Sequence, residues 1–339
     1  MRATAPRTGR ALWNGEPVAS EDAIPLSSRQ QLDGLGWHSR RVRHAVDAGD
    51  LQVIRRGVYV RSADLARSTT EERIVVRARA LTLVSRRPPQ FCGPTAAAIL
   101  GLPILRDDGA LHIISDDPRS SRGPGIVRHR GIEEDSVVVE TSELRCTSLA
   151  RTVVDVARSA SHDAAVCVAD AALRQTAFSP PGTYDEEVAA AFVDEVRRIA
   201  AMTTRGRRRA ERVIGMADGR AQLPGESISR LRLLDLGFAA PSLQVPVPGP
   251  RGGTYWVDFG LDDVGAWGEF DGRTTYRELA KASRQDAADV VEREKQREDW
   301  IRGTTQRRLA RWGWRDVRDA RTLGRRLAAF GIEPPRRQP

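Results

Sequence analysis

The sequence predicts an α/β (α+β) protein of two functional parts, and three observations predict it. Residues 25–65 read helix, turn, helix, hairpin; residues 66–178 alternate amphipathic helices with short strands; and residues beyond about 222 follow an α-β-β-α-β order. A chain of 339 residues holds two or three cores, at ~100–200 residues for each domain.

The first 24 residues mix Arg, Pro, Gly and Ala without periodicity and read as a mobile basic arm. Ser27 and Ser28 can cap a short helix through Leu32, and Ser39 can cap a second from Arg40 to Ala48. Leu51–Arg55 and Val58–Val60 then form two strands about Arg56-Gly57. Farther on, Ile74–Val84, Pro94–Leu100, Thr147–Arg158 and 161–176 read as helices, with strands at Leu111–Ile114 and Val137–Val139. Ser179-Pro-Pro-Gly182 signals a linker, followed by an Ala/Arg-rich helical stretch from about Asp185 to Ala217. The last region opens on a helix at Glu226, passes through the Pro-rich segment 241–250 and enters a hairpin, Tyr255–Phe259 with Ala266–Phe270. A helix from about Ala287 to Arg302, a strand at Arg307–Trp312 and a basic tail complete it.

Lys and Arg outnumber Asp and Glu by 54 to 45, a formal charge of +9, which favours a polyanionic partner; arginine enrichment also follows genomic composition, so placement has to decide. Cys92, Cys146 and Cys167 stand far apart, with neither a disulfide framework nor a thiolate zinc spacing, and suit the reduced cytoplasm. Nothing in the chain reads as a membrane span, an export signal or a small-molecule cofactor motif.

Helix, turn, helix, hairpin is the winged-helix order, in which the second helix enters the DNA major groove. Arg40, Arg41, Arg43 and His44 cluster on that helix, while Val42, Ala45 and Val46 supply its packing face; Arg55 and Arg56 fall at the wing. The same arginines also suit a solvated face of a protein-binding domain. The run DLQVIRRGVYV, followed by CGPTAAAILGLP and RCTSLARTVVDVAR, resembles the N-terminal part of the abortive-infection type IV antitoxin family over about residues 25–175. That resemblance implies a DNA-binding, repressor-like module and no catalytic motif.

The hairpin VDFGLDDVGAWGEFDG carries the candidate chemistry. A loop centred between Asp263 and Val264 pairs Asp258 with Glu269, and Asp271, two residues on, points the same way. Carboxylates brought together repel unless a cation neutralises them, and all-oxygen ligands suit Mg²⁺ (or Mn²⁺). An acidic hairpin open to water needs no such ion. Asp258 followed by Glu269-x-Asp271-Gly272, with Gly225-Glu226-Ser227 upstream and Glu294-Lys295-Gln296-Arg297-Glu298-Asp299 downstream, resembles the PD-(D/E)XK, Vsr-like endonuclease fold over about residues 222–318. The resemblance implies Asp258, Glu269 and Asp271 as metal ligands, with Glu226 completing the site. Asp271 stands where that motif normally has lysine, so Lys295 or Arg273 becomes the cation for the phosphate; Lys295 equally fits a surface pair with Glu298 or Glu292. Tyr276 is placed to stack on a nucleotide or to plug the domain edge.

The expected organisation is therefore an arm (1–24), a winged-helix module (25–65), a small antitoxin-like α/β domain (66–178), a helical linker (179–221), a restriction-endonuclease-like domain (222–325) and a basic tail (326–339). The expected function is metal-dependent hydrolysis of DNA; the alternative is a non-catalytic DNA-binding regulator that keeps a degenerate nuclease fold.

Overall fold

A computed structural model describes residues 23–115, 122–123, 125–130, 138–141, 144–179, 183–203, 205–272 and 284–335. Arg273, Tyr276 and nearly all of the expected N-terminal arm lie outside the described residues. The architecture is mixed α and β, and the chain divides at Gly219–Arg220 into two compact units. Among the described residues no helix is long and apolar enough to cross a membrane.

The N-terminal unit begins with β1 (Ser27–Ser28), α1 (Arg29–Gly34), α2 (Ser39–Asp47), β2 (Leu51–Arg55) and β3 (Val58–Arg61), the strands forming an antiparallel sheet in the order β1-β3-β2. Ser28 caps α1 through a reciprocal pair: its Oγ accepts from Gln31 N at 3.1 Å while Gln31 Oε1 accepts from Ser28 N at 2.7 Å. The cap expected at Ser39 is not made. His38 is the N-cap of α2 without a side-chain bond, and Ser39 Oγ accepts instead from Arg29 Nη2 at 3.1 Å, tying the two helices together. Val42 and Ala45 are buried, as their spacing predicts. Gly57, at φ +81°, makes the tight turn between β2 and β3.

Two more helices, α3 (Ser62–Ala66) and α4 (Thr70–Val84), lead into a six-stranded mixed sheet of β4 (Gln90–Phe91), β5 (Leu111–Ile114), β6 (Arg122–Gly123), β7 (Ile126–His129), β8 (Val138–Thr141) and β9 (Leu144–Thr147), in the order β6-β7-β5-β4-β9-β8. Helix α4 starts four residues before the expected Ile74, because the Thr69–Glu72 capping box sets its N-terminus. Ile74, Phe91, Leu111 and Leu144 form the core together with α5 (Gly93–Ile99). After α6 (Leu149–Ser159), α7 (His162–Ala177) and the short strands β10 (Phe178–Ser179) and β11 (Thr183–Tyr184), the stretch taken for a linker packs as part of this unit. It holds α8 (Glu186–Ala201), with Phe192 and Val196 buried, and α9 (Arg207–Ile214), entered through left-handed Gly206.

The C-terminal unit runs α10 (Pro224–Leu236), β12 (Ser242–Pro248), β13 (Thr254–Leu261), β14 (Ala266–Asp271), α11 (Arg284–Thr305), β15 (Arg308–Gly313) and α12 (Ala320–Ala328). Its sheet has the order β12-β13-β14-β15, antiparallel except for the parallel β14–β15 pair. The expected α-β-β-α-β order thus gains a strand and a final helix. The Pro-rich segment is an edge strand, where a residue without N–H is tolerated, and the expected basic tail begins inside α12, whose Leu327 is buried.

Close contacts lock the sheet against its neighbours. A Cβ at Gly268 would lie 2.2 Å from the Trp312 ring, and one at Gly225 would lie 2.0 Å from Phe270. Trp312 stacks on Phe259 and donates its indole N–H to Ser229 Oγ at 2.8 Å. Gly268→Ala therefore forces the indole aside, and a thermal melt should show a loss of roughly 1–3 kcal/mol, the usual cost of overpacking.

Candidate functional site

The described β13–β14 pairs, Phe259 with Gly268, Gly260 with Trp267 and Leu261 with Ala266, keep the register expected from the loop centre. Continued by one step, it sets Asp258 opposite Glu269, and Phe270 N donates to Asp258 Oδ2 at 2.8 Å. On the other side of Asp258 the ladder is irregular. Leu243 pairs with Phe259 and Val245 with Val257, passing over Gln244 and Asp258, and Gln244 adopts φ +49°.

The two strands turn over at this step. Val257 clusters with Leu309 and Ile301, whereas Phe259 stacks on Trp312. Residues two apart on a regular strand share a face, yet Leu309 and Trp312, three apart on β15, lie on opposite ones. The twist lets a β12 side chain meet both Asp258 and the start of α10. Gln244 Nε2 donates to Glu226 Oε2 at 3.1 Å and to Asp258 Oδ1 at 3.3 Å. Glu226 Oε2 also accepts from Gln222 N at 2.8 Å, and Gln222 Nε2 donates to Gln244 Oε1 at 3.0 Å.

Although Asp258 keeps some surface, its carboxylate is enclosed. Burial raises its pKa to about 6, against the Phe270 amide that lowers it, with the charge of Glu269 adding to the rise. Glu269, 7% exposed, is neutralised differently. Arg297 Nη1 lies 2.7 Å from Oε1 and Arg311 Nε lies 2.8 Å from Oε2. Oε1 and Arg311 Nε make no aligned hydrogen bond, so these are charge contacts more than directed ones. Arg297 Nη2 donates to Trp256 O at 2.5 Å, and Arg311 also pairs with Glu294. Burial opposes the charge of Arg311, but Glu269, Glu294 and Glu298 outweigh it and hold the guanidinium above its ordinary pKa.

The structure thus brings Glu226, Asp258 and Glu269 together but leaves Asp271 exposed at the end of β14. Lys295 is exposed on α11 and forms no ion pair among the described residues; Glu298 pairs with Arg302, and Glu292 accepts from Gln296. The same helix instead sends Arg297 to the acids. Arg297 stood inside the quoted motif, and Arg311 is the cross-strand partner of Glu269, an opposite-charge pairing that a strand alignment could have found. Gln244 had no sequence signal. Trp267 is buried, with its indole donating to Thr305.

Among the described residues no group of three or more His, Cys, Asp or Glu side chains is placed to hold a metal ion. The expected Asp258–Glu269–Asp271 cluster does not fit one here, because two guanidinium groups occupy Glu269 and Asp271 faces water. Glu226 and Asp258 meet across one neutral NH₂ group, each with one carboxylate oxygen accepting from Gln244 Nε2.

In the N-terminal unit Arg40, Arg41, Arg43, His44 and Arg56 are exposed. The Arg41 guanidinium lies 4.2 Å from the Trp37 ring centre. A groove of about 300 Å³ separates α2 from the sheet, lined in part by Arg29, Arg43, Val53 and Tyr59. Arg55 is half-buried, and burial first, then Arg77, lowers its pKa; it stands apart from the exposed set.

No family model matches the chain. It is similar to two uncharacterized proteins, from two strains of Mycobacterium tuberculosis, at 29% identity over 180 residues, which are 53% of this chain and 61% of each relative. The matched part thus spans about three-fifths of those relatives.

Proposed function

We propose that this chain is a DNA-binding protein whose C-terminal unit is a metal-dependent, PD-(D/E)XK-like domain that hydrolyses phosphodiesters in the cytoplasm. The observation that carries the reading is the meeting of Glu226, from a helix start, with Asp258, from a central strand, across one amide group. Glu226 and Asp258 would hold Mg²⁺ or Mn²⁺, which supplies charge for a phosphate oxygen and acidifies bound water. The chain's own part is to fix these oxygens: Phe270 N orients Asp258, and Gln222 N orients Glu226. Arg297 and Arg311 cancel Glu269 and so keep a third negative charge from repelling an incoming phosphate. Lys295, exposed on α11, or Arg273 would meet the transition-state charge.

In this reading residues 25–65 form a winged helix with α2 as the recognition helix. Its exposed arginines support that assignment, as does the order of elements around it. Duplex DNA binding should fall with salt at a log–log slope of about −0.9 per neutralised phosphate. Arg40→Ala/Arg41→Ala/Arg43→Ala should weaken it by at least tenfold while leaving Mn²⁺ binding unchanged; wild-type affinity in the triple variant removes α2 as the reader.

One specific feature favours the second reading, a non-catalytic, antitoxin-like regulator: Asp271 replaces the motif lysine and Glu269 is fully ion-paired. Calorimetry with Mn²⁺ and a nuclease assay on plasmid and single-stranded DNA separate the two. Metal binding with cleavage supports hydrolysis, and metal binding without cleavage supports the regulator.

A further inference from the structure

We propose that His112 and His129 form an acid-sensitive clasp across the six-stranded sheet: their shared hydrogen bond holds with no added proton or with one, breaks at the second, and so loosens β7 from β5 in mild acid. The clasp lies wholly in the N-terminal unit and rests on neither the nuclease nor the DNA-binding reading.

Strands β5 and β7 run parallel, with His112 beside Val127 and Ile114 beside His129. His112 Nδ1 and His129 Nε2 stand 2.9 Å apart, the ring centres are 5.1 Å apart and the planes differ by 19°. The nitrogen contact plus the radius of each ring accounts for the whole distance between centres. The imidazoles therefore meet edge to edge, nearly coplanar, along the line of a nitrogen lone pair. On its far side His112 Nε2 lies 3.2 Å from Asp108 Oδ2, and Asp108 Oδ1 accepts from Ala110 N at 3.0 Å, which fixes that carboxylate in place. Only 12% of the His112 side chain is exposed. Its backbone is pinned to the start of α5: His112 N donates to Thr95 Oγ1 at 2.8 Å, and His112 O accepts from Cys92 N at 3.0 Å.

The direction of the hydrogen bonds follows from the acid end of this chain. A carboxylate only accepts, so His112 carries its proton on Nε2; neutral His112 then presents the Nδ1 lone pair, and His129 donates Nε2–H to it. A first proton enters at His129 Nδ1 without breaking a contact, because one N–H still bridges the pair whichever ring holds the charge. A second proton puts an N–H on both facing nitrogens, with no lone pair between them and two like charges in contact. The elements packed around the pair offer little relief. From α6, Asp155 favours a charged His129 and Arg158 opposes it, but Asp155 already lies against Arg151 at 3.0 Å and Arg158 at 3.8 Å. From the start of α5, burial pushes the Cys92 thiol up, so it supplies no anion. Burial first, then His112, holds the His129 pKa below its ordinary 6.5. The stability that the clasp contributes is therefore complete above the unfolded value and is lost as pH falls toward the lower folded one. Strand β7 feels that loss because, among the described strands, only the two-residue β6 lies beyond it.

Amide hydrogen exchange on the full chain tests this, with wild type and His129→Gln compared at pH 7.5 and pH 5.5. Glutamine keeps an N–H in the place of Nε2 and takes up no proton. Wild-type protection at Ile126–His129, corrected for intrinsic exchange rates, should fall by on the order of tenfold in acid, the equivalent of about one pKa unit. His129→Gln should keep its protection at both pH values. Equal wild-type protection at the two pH values, or equal acid losses in wild type and variant, overturns the clasp. The ring resonances of wild type give a reading that needs no variant: His112 and His129 should follow the same two-step titration, each step appearing in both rings. Two independent one-step curves would mark isolated imidazoles and overturn it likewise.

Discussion

Arg297→Ala should destabilise the C-terminal unit by about 3 kcal/mol, the low end of the cost of breaking a buried ion pair. Glu269 is 7% exposed and has Arg297 and Arg311 against its two oxygens. Removing Arg297 strands half of a buried carboxylate and also takes the donor from Trp256 O. The low end applies because Arg311 remains and both guanidinium groups keep some contact with water. Urea unfolding at neutral pH measures the loss. Arg297→Ala/Glu269→Gln should recover much of it, since the amide carries no charge to strand, and a double variant no more stable than Arg297→Ala alone would show that the pair is not the cause.

Asp258→Asn should raise stability and, on the hydrolytic reading proposed above, lower cleavage. Burial pushes the Asp258 carboxyl up to about 6 from the ordinary 3.8 of an unfolded chain. The folded state therefore holds its proton longer, and the stability this contributes is complete below the unfolded value and lost as pH rises through the folded one. Above that range the ionised, enclosed carboxylate costs on the order of 2–3 kcal/mol, at 1.36 kcal/mol per pKa unit. Melts of wild type and Asp258→Asn, run without metal, should nearly coincide at pH 4 and part by pH 7 with the asparagine variant the more stable. With Mg²⁺ and DNA the same variant should lose cleavage by on the order of a hundredfold or more, because a neutral amide is a poor replacement for a charged ligand. Equal melts at both pH values would show that the carboxylate is not strained by its surroundings.

Patterns that repeat were legible in the sequence, and those made by single side chains were not. The hairpin register followed from its loop centre because strand pairing is set by the turn, and the pairs from Phe259–Gly268 to Leu261–Ala266 keep it. The fate of the charges did not follow. Periodicity names a face but not which cation reaches it, and Arg297, two residues beyond the candidate Lys295, is the one that meets Glu269. Asp271 shares its parity with Glu269 but sits where the strand ends and water begins. Strand β12 was hidden because Pro246 and Pro248 break β propensity, and Gln244 was hidden with it. The helices after Ser179 were visible as helices, but only packing shows that α8 belongs with the core of its unit.

Those same prolines have a consequence for how the molecule keeps to itself in solution. Among the described strands β12 forms one margin of its sheet, and a bare margin offers unpaired amides to any passing strand, including one from another copy. Pro246 and Pro248 remove two of those amides, and the left-handed step at Gln244 bends the margin between Leu243 and Val245. A visiting chain would find neither a continuous row of donors nor a straight template. The distortion that aims a carboxamide at Glu226 and Asp258 thus also guards the sheet against aggregation, and a variant that straightens β12 to improve its pairing would expose the protein to fibrous self-association.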